Sequence, residues 1–319
     1  MAMTWMIALA CALGAATSCR APVPATPRTV PPPMWSTAAP DPDVTMDTVQ
    51  VRSGADQVTA YLARPSAPGR HPAIIILHAN RITEPYVASV TEMLGKAGFV
   101  ALALDIFHFL PGNATWEDAQ RTSGDSVRAA LDRGFREPRL MRDIQAGIDY
   151  LRTQPYVAEG GVAMLGFCGG GWNSLLAAAQ LTDVGAVVAF YAPVTLSDAQ
   201  HRAPMEIAEY IRVPVQFHYA LRDRYIPAGD VDRFVNALRA QGTPIERHDY
   251  EAEHGFFAWN RTGVFSPVAA TAAWERVVPF LWRYAGQAVL RRPVAPAGRS
   301  EGARAGPSHL HLHASSDGS

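Results

Sequence analysis

The stretch VAMLGFCGGGW, Val162 to Trp172, decides how the chain is read. It runs apolar and then breaks into glycines around one cysteine. Three readings compete: a strand turning into a helix with Cys168 at the apex, a glycine-rich phosphate loop, or a plain tight turn. The phosphate loop fails on its chemistry, because no Gly-Lys-Ser/Thr follows and no lysine is near. Gly166-Phe167-Cys168-Gly169-Gly170 instead fits the nucleophile elbow G-x-S-x-G with cysteine in place of serine. An elbow holds its apex residue in a strained conformation, and side chains flanking it would collide with the adjacent strand and helix. The helix that follows points its N-terminus at the thiol and favours a thiolate.

The surroundings supply an α/β frame. The apolar runs at 73–77, 99–107, 161–167, 186–192 and 213–220 read as strands buried on both faces. A further strand follows at 245–251, and a hairpin around Gly54 (48–53 and 58–65) precedes them all. Helices are expected at 85–97, with Pro85 near the start and Gly98 past the end, and at 140–153, 172–181, 230–241 and 267–284. This alternation predicts one α/β domain over 43–285, with a mostly parallel sheet covered by helices on both faces. Ligands of such sheets bind beyond the carboxyl ends of the strands. The residues to inspect are therefore His78–Asn80, Asp105–His108, Cys168, Tyr191–Pro193, Asp223 and His254.

A cysteine nucleophile needs a base and an orienting acid. His254, in YEAEHGFF, falls just beyond the last strand, where Gly255 lets the loop turn. His71 precedes its strand, His218 lies inside one, and His309, His311 and His313 lie in the tail. His78 and His108 belong to early strands. Asp223 stands three residues beyond Ala220. The order Cys168, Asp223, His254 is the nucleophile–acid–histidine order of α/β-hydrolases. The backbone N–H of Gly169 and one from the loop after 73–77, at Ala79 or Asn80, are the expected oxyanion donors.

These segments together resemble the dienelactone hydrolase (carboxymethylenebutenolidase-like) family of α/β-hydrolases over roughly 45–284. DYLRTQPYVAEGGVAMLGFCGGG, LRDRYIP and HGFFAWNRTGVFSPVAATAAWERVVPFL look like that family's elbow, acid and histidine segments. The resemblance implies a Cys–His–Asp triad acting on an ester or lactone, with no metal or other cofactor. Two positions depart from it. The family's glutamate after the third strand is Ala79 here, which leaves direct contact with His254 to activate the thiol. The position of a substrate-binding arginine shortly after the histidine is Ala258. Arg81, with one of Arg121, Arg128 or Arg136, is the expected replacement, and Phe167 and Tyr191 complete the expected substrate contacts. The insert from His108 to Phe135 reads as a cap.

Composition sets the outer limits. Hydrophobic residues make up 48% and charged residues 18%, which suits a packed core. With 28 basic and 29 acidic residues, the net charge of −1 gives no electrostatic footprint for nucleic acid. Of the three cysteines, Cys11 and Cys19 lie near the N-terminus, so the body holds one thiol and no internal disulfide framework. Residues 6–16 are apolar and too short to span a bilayer as a helix of ~20 residues. Small residues follow, and AATSC, ending in Cys19, resembles a lipobox, with Ala16 where leucine is usual and no Lys or Arg before the apolar run. Residues 1–19 are thus read as an export segment, periplasmic or lipid-anchored through Cys19. The alternative is a disordered apolar N-terminus on a cytoplasmic enzyme. Residues 20–42 read as a Pro-rich linker and 286–319 as a disordered tail. The expected partner is a small-molecule substrate for a monomer. The rival to a hydrolase is an envelope-associated member of the fold that binds a ligand or partner without catalysis, and the departure at Ala79 motivates it.

Overall fold

The run AIIIL is buried at all five positions and forms β3 (Ala73–Leu77). A strand apolar on both sides is stable only where both sheet faces are covered. The computed structural model describes residues 29–35, 41–79, 81–109, 139–197, 202–289 and 294–295. Residues 1–28, most of the insert, Asn80 and most of the C-terminal tail lie outside them.

Around β3 stand β1 (Val44–Ser53), β2 (Asp56–Pro65), β4 (Val100–Leu104), β5 (Val162–Phe167), β6 (Val184–Phe190), β7 (Val215–Ala220) and β8 (Ile245–Tyr250). They form an eight-stranded sheet in the order β1-β2-β4-β3-β5-β6-β7-β8. β1 and β2 pair antiparallel, β2 pairs antiparallel with β4, and every pairing from β4 to β8 is parallel. The fold is α/β, as the alternation predicts. The hairpin is longer than expected: β1 begins at Val44 and turns at Gly54, with φ 61°. Its first half is largely exposed at the sheet edge, so no burial period marks it in the sequence.

The helices are α1 (Pro85–Lys96), α2 (Arg139–Arg152), α3 (Gly169–Gln180), α4 (Ala228–Ala240) and α5 (Pro267–Tyr284). A short 3₁₀ segment, Pro204–Tyr210, was not expected. α2 buries Met141, Ile144, Ile148 and Leu151 along one stripe, the 3.6-residue period that marks it in the sequence. α5 opens at Ser266, whose hydroxyl accepts the Ala269 N–H at 3.4 Å. Among the described residues no helix is long and apolar enough to cross a membrane.

Two termini behave differently from expectation. Gly286, at the start of the expected tail, donates its N–H to Gly161 O at 3.0 Å, and Gln287 O accepts from Gly161 N at 2.8 Å. Ala295 is buried and donates to Ala179 O at 2.8 Å. Of the expected tail, residues 286–287 thus bond the backbone just before β5 and Ala295 bonds the end of α3. At the other end, residues 29–35, read as linker, lie against α1 and α5.

The β7 face holds a polar core. His218 is fully buried and stacks on Phe190 at 4.3 Å between ring centroids. The Gln216 amide nitrogen donates to Glu246 and to the Arg276 carbonyl, so its oxygen faces His218 Nε2 at 3.0 Å. Nε2 thus carries the proton, and Nδ1 accepts from the Tyr250 hydroxyl at 2.8 Å. Burial, reinforced by His248 and Arg276, holds His218 well below the ordinary histidine pKa. The unfolded imidazole takes a proton below about pH 6.5 while the folded one does not. Stability is therefore expected to fall by up to about 1.4 kcal/mol per pH unit below that value, until the folded pKa is reached. Denaturant melts of wild type and His218→Gln between pH 7 and 5 check this: the variant, less stable at pH 7, loses that part of the slope.

Candidate active site

Cys168 sits between β5 and α3 at φ 52° and ψ −115°. That is left-handed backbone for a residue with a side chain, the strain an elbow stores. The first turn of α3 lies against the sheet so closely that a Cβ on Gly170 would meet Leu77 O at 1.9 Å. One on Gly166 would meet Gly170 O at 2.1 Å. Those two glycines are obligatory. Gly169 is not: a Cβ there meets nothing within 4 Å, because that position faces open space. The helix also starts at Gly169, three residues before the expected Trp172.

His254 and Asp223 arrive from the loops after β8 and β7. These loops stay paired beyond the strands, with Leu221 N bonding Tyr250 O at 2.9 Å and Arg222 N bonding Ala252 O at 3.1 Å. His254 Nδ1 and Asp223 Oδ2 are 2.7 Å apart. The Asp223 side chain is fully buried, and its other oxygen accepts the N–H groups of Tyr225 (2.9 Å) and Ile226 (3.1 Å). Three hydrogen bonds therefore fix the carboxylate that fixes the imidazole. Gly255, at φ 85°, turns the chain after His254, and buried Phe256 and Phe257 anchor it.

His254 also faces Cys168, close enough for each to shift the other's ionisation. Burial pushes the thiol up, but the facing His254, the Gly169 N–H and the Arg261 guanidinium outweigh it, so the thiol is held below its ordinary value. Burial likewise opposes charge on His254, yet the facing Cys168 and the Asp223 carboxylate raise its pKa to about 10. Both shifts favour a thiolate–imidazolium pair, each charge stabilising the other.

The remaining expected residues are placed unequally. Tyr191 is buried at φ 36°, with its ring 4.8 Å from that of His254. Phe167 is fully buried among Tyr86, Phe190 and Phe257, where it supports the elbow from below. The Ala79 N–H faces the Tyr86 hydroxyl at 3.4 Å, while Asn80 lies outside the described residues. Arg81 sits at the entry to α1, its carbonyl accepting from Glu84 N. The guanidinium whose field reaches Cys168 belongs instead to Arg261, which is paired with Glu84 at 2.8 Å. Arg121, Arg128, Arg136 and residues 110–135 of the expected cap, like residues 1–19, lie outside the described residues. His78 is fully buried, 3.7 Å from Asp105.

Sequence reasoning missed Arg261, Tyr86 and Tyr225, whose ring stands edge-on to His254 at 5.3 Å. Arg261 was within reach, since it lies in the histidine segment, but only a turn-containing loop brings it back to the thiol. Among the described residues, no group of three or more His, Cys, Asp or Glu could hold a metal ion.

The family model described as "Dienelactone hydrolase family" matches residues 58–285. A Bradyrhizobium protein called "Probable 2-oxo-3-(5-oxofuran-2-ylidene)propanoate lactonase" is 26% identical over 76% of this chain and 97% of its own. A carboxymethylenebutenolidase of Pseudomonas sp. strain P51 is 28% identical over 72% of this chain and 92% of its own. Among solved structures, a dienelactone hydrolase-like promiscuous phosphotriesterase from metagenomic libraries superposes with a TM-score of 0.62 at 19% identity. It covers 76% of this chain and 100% of its own.

Two measurements probe this geometry. Gly170→Ala is expected to lower unfolding stability by about 3 kcal/mol, because backbone must move. Gly169→Ala is expected to be neutral or stabilising by up to about 1 kcal/mol. Iodoacetamide labelling of Cys168, followed on its own peptide, is expected to persist below the ordinary thiol range in wild type. In His254→Ala the midpoint moves up by more than about 1 pH unit, since burial remains while the counter-charge is gone.

Proposed function

We propose that this chain, which belongs to the dienelactone hydrolase family, cleaves its substrate through a Cys168–His254–Asp223 triad and a thioester acyl-enzyme. Membership makes the chain a hydrolase of carboxylic ester or lactone bonds; the proposal concerns the residues and the chemistry. The observation that carries it is the meeting of three strand-end side chains. A strained cysteine, a histidine whose charge bears on it and a fully buried aspartate 2.7 Å from the histidine lie at one edge of the sheet.

The thiolate of Cys168 attacks the carbonyl carbon, and the carbonyl electrons move onto oxygen. That oxyanion develops beside the Gly169 N–H, with the Ala79–Asn80 loop as the second donor. As the tetrahedral adduct collapses, the C–O bond to the leaving group breaks, and His254 Nε2 gives it a proton. In a lactone the leaving oxygen stays attached, and the opened ring remains a thioester. Water then attacks the thioester carbonyl, His254 takes its proton, and the sulfur departs as thiolate. Asp223 holds Nδ1 throughout and favours the imidazolium. No glutamate is needed at Ala79, because His254 already stabilises the resting thiolate. Arg261 adds positive potential and would favour an anionic substrate or product.

Export, with attachment through Cys19, is proposed from the apolar segment and the AATSC ending alone. Intact mass of the protein recovered from the cell envelope checks it, and an unmodified N-terminus would refute it.

A panel of aryl esters and small lactones tests the hydrolytic reading. Cys168→Ala is expected to abolish turnover. Asp223→Asn is expected to lower kcat by about 10²–10⁴-fold. A slow ester should add its acyl mass to wild type and not to Cys168→Ala. Full activity in both Cys168→Ala and His254→Ala would refute the triad.

A further inference from the structure

The N-terminal stretch 29–35 has neither helix nor strand, yet it is built into the domain. The indole N–H of Trp274, a fully buried residue of α5, donates to Pro31 O at 2.8 Å. Met34 N donates to the Met93 sulfur in α1 at 3.4 Å, and Trp35 Nε1 donates to Thr271 Oγ1 in α5 at 3.2 Å. A little further on, Asp41 pairs with Lys96, and its N–H bonds Glu92 at 3.0 Å. The stretch thus runs as a strap over α1 and α5.

One of its side chains reaches the histidine loop. Trp35 stands edge-on to Phe257 at 5.2 Å and to Phe265 at 5.6 Å. Phe257 follows His254 by three residues and is itself buried against Phe167 (5.3 Å) and Phe190 (4.9 Å). Phe167 directly precedes Cys168, and Phe190 O holds the Cys168 N–H at 3.0 Å. One aromatic cluster therefore lies under both the elbow and the histidine loop, and Trp35 closes its outer side. Loop residues 255–265 are held as well by the Ser266 N–H on Phe256 O, by Trp259 on Ser89, by Arg261 on Glu84 and by Phe256 against Phe190, Tyr191 and Tyr250.

We propose that Trp35 is a positioning residue for the site: the strap presses Phe257 and Phe265 into place and so sets His254 against Cys168. The proposal rests on the reading of Cys168 and His254 as a working pair. A small displacement of His254 weakens both its support of the thiolate and its proton delivery, so a contact outside the site changes chemistry as well as stability. Trp35→Phe keeps a ring edge and drops the Thr271 bond. Thr271→Val removes that bond alone.

The test uses the full chain and three readouts at a temperature well below every variant's Tm. In Trp35→Ala, kcat on an aryl ester is expected to fall by about five- to tenfold with little change in KM. The midpoint of Cys168 alkylation by iodoacetamide is expected to move toward the ordinary thiol range. Trp35→Phe is expected to restore most of both, and Thr271→Val to change neither. A strap that only stabilises would lower Tm and leave kcat and the alkylation midpoint where they are, and that result overturns the proposal. Should Trp35→Ala not fold, Trp35→Leu, which keeps bulk without a ring, carries the same comparison. If wild type hydrolyses no ester, the hydrolytic reading fails, while the alkylation midpoint of the variants still decides the role of Trp35.

Discussion

The close approach of α3 to the carboxyl end of β3 is the constraint on which the rest depends. With Gly170 lying on the Leu77 carbonyl, the chain leaving β5 has no room for a gradual turn and must reverse at one residue. Cys168 is that residue, and its positive φ is the cost of the approach. The same contact puts the helix N-terminus and the Gly169 N–H beside one sulfur. Parallel strands do the remainder, since β7 and β8 run the same way as β5 and bring their loops to the same edge.

The electrostatics of the site follow from pairing rather than from exposure. Burial opposes charge on both Cys168 and His254, and each favours the charged form of the other. Asp223 makes the arrangement asymmetric by holding one nitrogen of the ring. Ala79 puts no charge beside the thiol, where a second anion would raise it rather than lower it. The nearby carboxylate of Glu84 is instead turned onto Arg261.

The parts of the molecule legible in the sequence are those with a strong local period or a fixed chain order. The buried strands announced themselves as unbroken apolar runs, and the elbow by glycines that sterics demand at 166 and 170. Asp223 and His254 were reachable because strand ends in a parallel sheet converge. The rest depended on contacts across long separations. Gly169 carries no steric signature, and the packing of Phe167 under the elbow shows only once Tyr86, Phe190 and Phe257 are assembled around it. Arg261 reaches the thiol only through a folded loop, and nothing in a proline-rich run states that Pro31 and Trp35 will find α5. The exposed first half of β1 has no burial period to read.

That last pairing has a consequence for how the chain is made. Pro31 and Trp274 are 243 residues apart, and Trp35 and Thr271 are 236 apart. The strap is synthesised long before α5, which completes its seat. Loop closure over such a span is slow relative to local pairing, so the sheet and its helices assemble while the strap is still free. Until α5 leaves the ribosome, Met34 can meet Met93 of α1, but Pro31 and Trp35 lack their partners Trp274 and Thr271. Latching of the strap onto α5 then waits on the last helix of the sheet domain, and a product ending before α5 would leave these two contacts unmade.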